Sequence, residues 1–136
     1  VGSQEISGLA VFNLAWKGGR LVAVRENDHT LRRFGQVDVI RLDPEKRHVN
    51  YRVGGADEIW VVIEGQVKMV ATDLRDQSPS NGVTQDLSLV GESPEAVLIP
   101  FGTQVKISSV NHAVMMRITS HADELFPDDM IFMEED

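Results

Sequence analysis

Apolar and polar residues alternate with a period of two along much of this chain. Val49, Tyr51 and Val53 interleave with His48, Asn50 and Arg52, which predicts a strand with one apolar and one polar face. Gly54-Gly55 breaks that run. Ile59 to Ile63 is a β-branched and aromatic block, too short for a typical helix and suited to a buried strand. Glu64-Gly65-Gln66 predicts a turn, with Gly65 where positive φ is often needed, and Val67 to Ala71 predicts a return strand.

The same signals recur on both sides. Leu9 to Phe12 and Leu21 to Val24 flank Lys17-Gly18-Gly19-Arg20 and predict a strand pair with a glycine turn. Val37 to Leu42 alternates as a strand and ends at the turn Asp43-Pro44-Glu45-Lys46. Arg75 to Thr84 has the Ser-Pro-Ser-Asn-Gly composition of a surface loop. Leu87 to Val90, Ala96 to Ile99, Val105 to Ile107 and Ala113 to Ile118 predict further strands, with Asn111-His112 as a hairpin turn. After His121 the pattern decays, and Glu124 to Pro127 predicts a short helix or an irregular tail. About nine short strands without sustained helical periodicity predict an all-β sandwich or barrel.

The 136 residues fit one domain, 1–136, with a single core. No apolar run approaches the ~20 residues of a membrane helix, and no N-terminal segment has signal-peptide character. The absence of cysteine excludes disulfides and thiolate chemistry and suits a reducing cytoplasm. The net charge is −8, with seven acidic residues in the last fourteen. That balance argues against nucleic acid as a partner, because phosphate binding needs clustered Lys and Arg. Residues 122–136 read as a solvated acidic tail.

Candidate chemistry is sparse. His29, His48, His112 and His121 show no metal-ligand spacing, so no metal and no cofactor are expected. No nucleophile motif is present. The polar strand face is the more informative feature. His48, Asn50 and Arg52 share it, and in a barrel it would line either the cavity or the solvent. Facing the cavity, Arg52 could hold a phosphate or carboxylate, and Arg117 raises the same question. Trp60 and Met115-Met116 read more simply as core.

Several motifs together resemble the cupin superfamily. Glu58, six residues and Gly65 match the end of its first motif, and Pro100-Phe101-Gly102 matches the P-x-G of its second. Within it the chain is similar to the dTDP-4-dehydrorhamnose 3,5-epimerase group. Gly65-Gln66-Val67, Asp73-Leu74-Arg75, Ser78-Pro79 and Ile99-Pro100-Phe101-Gly102 follow that group's order, and Gly18-Gly19-Arg20-Leu21 resembles its N-terminal entry. Gly19 to Glu26 also resembles the sugar-nucleotide 3,4-ketoisomerases, but their paired His-x-His is missing.

The resemblance implies a cupin-type jelly-roll β-barrel and a sugar-nucleotide ligand. A homodimer is expected from edge-strand pairing, with strands of residues 1–45 as candidates for exchange. Metal-binding cupins carry histidines where this chain has Tyr51, Arg52, Val53 or Gly54, and Val105. The epimerases use a His base and a late-strand Tyr acid. The matching positions here are Asn50 and Met116, neither of which exchanges a proton near neutral pH. Asp128-Asp129 is a counterpart for the Asp that supports the base. The expectation is therefore a catalytically degenerate binding protein, with Asn50, Arg52, Met116 and Arg117 at the ligand. The alternative is an active, metal-independent epimerase or ketoisomerase on a 4-keto-6-deoxyhexose nucleotide, with His48 as a relocated base.

Overall fold

The computed structural model describes residues 5–24, 34–51, 57–121 and 130–134. These residues form ten strands: β1 (Ala10–Asn13), β2 (Gln36–Leu42), β3 (Arg47–Tyr51), β4 (Glu58–Glu64), β5 (Gln66–Asp73), β6 (Thr84–Val90), β7 (Glu95–Ile99), β8 (Thr103–Ser109), β9 (Ala113–Thr119) and β10 (Met130–Glu134). No helix occurs among the described residues, so none there is long and apolar enough to cross a membrane.

Two five-stranded antiparallel sheets face each other, in the orders β1-β7-β4-β9-β2 and β10-β3-β8-β5-β6. The sheets do not close into a barrel, so the jelly roll takes the form of a sandwich. The main core lies between them and is built by Trp60, Val62, Val67, Met69, Val97, Val105, Ile107 and Met115, among others. A second apolar cluster covers the outer face of the first sheet, where Ile59, Val61, Ala96 and Ile118 meet Leu14, Leu21, Ala23 and Val24. β4 is therefore buried on both faces, which explains its unbroken apolar run.

From β2 to β5 and again from β6 to β10 the chain changes sheet at every connection, and among the described strands only β5–β6 is a hairpin of consecutive strands. Asn111-His112 thus turns a corner between sheets instead of closing a hairpin. Two corners meet at Gly65. Its φ of 84° lies in the left-handed region, and a Cβ there would stand 2.6 Å from the His112 carbonyl oxygen. The Gln66 amide donates to Asn111 Oδ1 (3.0 Å), and the Val110 amide donates to the Gln66 carbonyl (3.0 Å).

Both ends of the chain differ from the sequence reading. β1 pairs with β7, and residues 21–24 form no strand. Their apolar side chains are used in the outer cluster instead. Only Lys17 and Arg20 bridge, around a turn in which Gly18 and Gly19 have φ of 58° and 75°. Met130–Glu134, expected in a solvated tail, is a strand paired with β3, and Glu134 forms an ion pair with Lys46 at 2.7 Å. Residues 122–129, where a short helix was an alternative, lie outside the described residues.

Candidate functional site

Strand register decides which side chains look into the sandwich. His48 pairs with Ile107, and Asn50 with Val105, two core residues of β8. Cross-strand partners share a face, so the polar face of β3 looks inward. Opposite it, β9 places Arg117 beside Trp60 of β4 and Asp38 of β2. Glu58, two residues before Trp60, shares that face.

These inward groups form one network. Asn50 Nδ2 donates across the sandwich to Glu58 Oε1 at 2.8 Å. Arg117 Nε donates to Glu58 Oε2, and Arg117 Nη1 donates to Asp38 Oδ2 at 2.6 Å. Gln36 Nε2 holds the other Asp38 oxygen at 2.8 Å. The guanidinium also lies 5.9 Å from the Trp60 ring centroid, within cation–π range. Asn50, Glu58 and Arg117 are each at most 1% exposed. A charged guanidinium is tolerable at that depth because two carboxylates face it.

His48 is half-buried on the same face. Burial pushes its pKa below the usual imidazole value. The Glu134 carboxylate opposes the shift, and Lys46 adds to it. The ring is accordingly biased to its neutral, proton-accepting form. Met116 does not share this face. Its register partners are Val61 and Val39, and it packs in the outer cluster, while β9 sends Met115, Arg117 and Thr119 inward. A one-residue offset in a strand reverses the face. Arg52 and Asp128-Asp129 lie outside the described residues.

Asp38 and Glu58 complete the network, and sequence reasoning had not joined them to it. The available signal was parity. Asp38 interrupts the apolar sequence of β2 at a position whose partner is Arg117. Among the described residues no three His, Cys, Asp or Glu side chains converge as a metal-binding group. His112 is a surface residue whose Nδ1 lies 3.1 Å from Asp43 Oδ1.

Elsewhere a buried carboxylate organises the 73–84 loop. Asp73 accepts from Arg75 Nε (3.0 Å), Arg75 Nη2 (3.0 Å), Ser78 Oγ (2.6 Å) and Ser80 Oγ (2.5 Å). Burial pushes its pKa up, but these donors prevail and hold it well below the ordinary carboxylate range. Arg75 also reaches the Ser7 carbonyl at 2.6 Å, and Ser80 Oγ accepts from the Ser7 amide at 2.8 Å, so the N-terminal segment is tied to this loop.

The fold has close counterparts among solved structures. A dTDP sugar isomerase from Desulfovibrio desulfuricans G20 aligns with a TM-score of 0.73 at 16% identity, over 86% of this chain and 79% of that one. A dTDP-4-dehydrorhamnose 3,5-epimerase from Sulfolobus tokodaii gives 0.73 at 18%, over 86% and 72%. A double mutant of a 3′-monoepimerase from Streptomyces bikiniensis, one His changed to Asn and one Tyr to Phe, in complex with dTDP, gives 0.75 at 19%, over 89% and 67%. No family model matches the chain, and no curated protein matches it. The likeness is therefore one of fold, and on that level it agrees with the resemblance read from the motifs.

Proposed function

We propose that this chain binds a sugar nucleotide between its sheets without transferring protons to or from the sugar. The observation that carries this reading is the state of Asn50. Its amide faces inward at the position the motif assigns to a base, and it is committed to Glu58. An amide neither gains nor releases a proton near neutral pH. Arg117, beside it, is permanently cationic and suits a phosphate or an enolate-like oxygen. The dTDP complex of the Streptomyces protein supports the split between binding and chemistry, since that protein carries an Asn in place of a His and a Phe in place of a Tyr. Arg52 belongs to the same proposed ligand set.

The reading includes a homodimer and a cytoplasmic setting. The dimer is supported by the place of β2 at the edge of its sheet among the described strands, with Val39 67% exposed. The setting is supported only by the cysteine-free composition. Titration with dTDP by calorimetry, followed by incubation with a dTDP-4-keto-6-deoxyhexose in D₂O, tests the function. Saturable binding with no deuterium at C3 or C5 is expected. Absence of binding would refute it.

One observation favours a second reading, an active epimerase with His48 as base. Burial lowers the imidazole pKa and so favours its neutral form, which can accept a proton. Deuterium uptake that disappears in His48→Gln would establish this reading in place of the first.

A further inference from the structure

A cavity of about 740 Å³ lies on the outer face of the first sheet, beneath the residue 14–24 segment. Its floor is apolar, with Ile59 and Ala96 from the sheet and Phe12 from β1. Lys17 and Arg20 stand at its rim. They are the flanking pair of the two-residue glycine turn, joined by Lys17 amide to Arg20 carbonyl (2.9 Å) and by the reverse bond (3.0 Å). Paired residues of such a turn present their side chains on one face. Two like charges directly opposite each other destabilise a strand pair. Neither side chain forms a hydrogen bond or an ion pair with another described residue. In a chain of net charge −8, acids are abundant, yet among the described residues none forms an ion pair with either cation.

An apolar floor of this size under two juxtaposed cations fits a particular ligand chemistry. We propose that this cavity binds a small amphipathic anion, with its apolar body on Ile59, Ala96 and Phe12 and its carboxylate or phosphate between Lys17 and Arg20. The volume lies within the range of small-molecule sites. The anion relieves the repulsion between the two cations, and the floor supplies the contact area. The site is separate from the inward network, because Ile59 points away from the face that carries Glu58 and Trp60.

Titration of the isotopically labelled full chain with decanoate and with decyl phosphate, followed by amide NMR, tests the proposal. Saturable shifts are expected at Phe12 to Ala23, Ile59 and Ala96. The double charge reversal Lys17→Glu/Arg20→Glu, on an exposed turn, is expected to weaken binding at least tenfold while leaving the remaining spectrum unchanged. Decanol, with the same body and no charge, is expected to bind at least tenfold more weakly. The preferred headgroup shows whether a carboxylate or a phosphate is the better occupant. Shifts scattered over the surface, or affinity unchanged by charge reversal, would overturn the proposal. So would sedimentation showing that a second copy covers the cavity and excludes decanoate. Competition with dTDP separates this site from the nucleotide reading. Displacement of decanoate by dTDP would merge the two sites and refute the outer one, whereas failure of dTDP to bind anywhere would refute the nucleotide reading alone.

Discussion

Replacing Arg117 by Met removes the charge from the centre of the inward network and nearly preserves volume. Glu58, 1% exposed, then loses the cation that Arg117 supplies and keeps the Asn50 amide among its partners. Stripping one partner from a buried ion pair costs about 3–5 kcal/mol, because the remaining charge is left uncompensated. Unfolding entropy near 60 °C is about 2.1 cal/mol/K per residue, so a chain of 136 residues has about 0.29 kcal/mol/K. The expected fall in Tm is therefore about 10–17 °C, measured by calorimetry or circular dichroism at pH 7. The second half of the test is Glu58→Leu/Arg117→Met. Apolar replacement of an entire buried pair is often close to neutral. Here Asn50 and Asp38 also lose partners, at about 1–3 kcal/mol each, less for the partly exposed Asp38. The double variant should therefore lose less stability than the two single variants, Glu58→Leu and Arg117→Met, lose together. A fall below about 3 °C for the single variant would refute the network as a buried ionic unit. So would a double variant as unstable as the two single losses combined.

Two further outcomes follow from the loops. Asp73→Asn should cost about 2–4 kcal/mol in urea denaturation at pH 7, since a buried charge-assisted cluster loses its negative charge and one of its two acceptor oxygens. Asp73 has its folded pKa depressed, so its contribution is present above the unfolded value of about 3.9 and is lost as pH falls below it. The gap between wild type and variant should narrow from pH 7 to pH 3, and an equal gap at both would refute the assignment. Gly65→Ala should cost more than about 2 kcal/mol, because left-handed backbone adds to a 2.6 Å approach to the His112 carbonyl. Gly18→Ala, with nothing within 4 Å, should cost about 1 kcal/mol, and equal losses in thermal melts would remove the packing argument.

The strands were legible because their side chains repeat with period two, but their pairing was not. Nothing in Glu64-Gly65-Gln66 distinguishes a hairpin from a corner between sheets. That difference rests on a contact with His112 and Ala113, distant in sequence. The terminal strand was hidden for another reason. The acids around Met130–Glu134 suggest solvation, but the pairing with β3 and the Lys46–Glu134 ion pair hold a strand there. Leu21 to Val24 failed in the opposite sense. Its apolar content is real, but it is spent on covering the outer face of a sheet and not on joining one.

The candidate site shows the same limit at finer grain. Period two placed His48 and Asn50 on a common face, but could not say whether that face met water or core. The pairing of Asn50 with Val105 decides it. Motif matching then placed Met116 beside the ligand, although a match tolerates a shift of one residue and a pleat does not. Arg117, its neighbour, faces inward, and burying a guanidinium there requires acids on the surrounding strands. Asp38 and Glu58 meet that requirement from β2 and β4. Ionic balance inside a sandwich is thus a constraint across sheets, and it can be read from sequence only once the parity of each strand is known. The rim of the outer cavity lacks such balance. Lys17 and Arg20 have no acid opposite them on the described elements, which is why an external anion is the natural partner there and an internal carboxylate is the partner of Arg117.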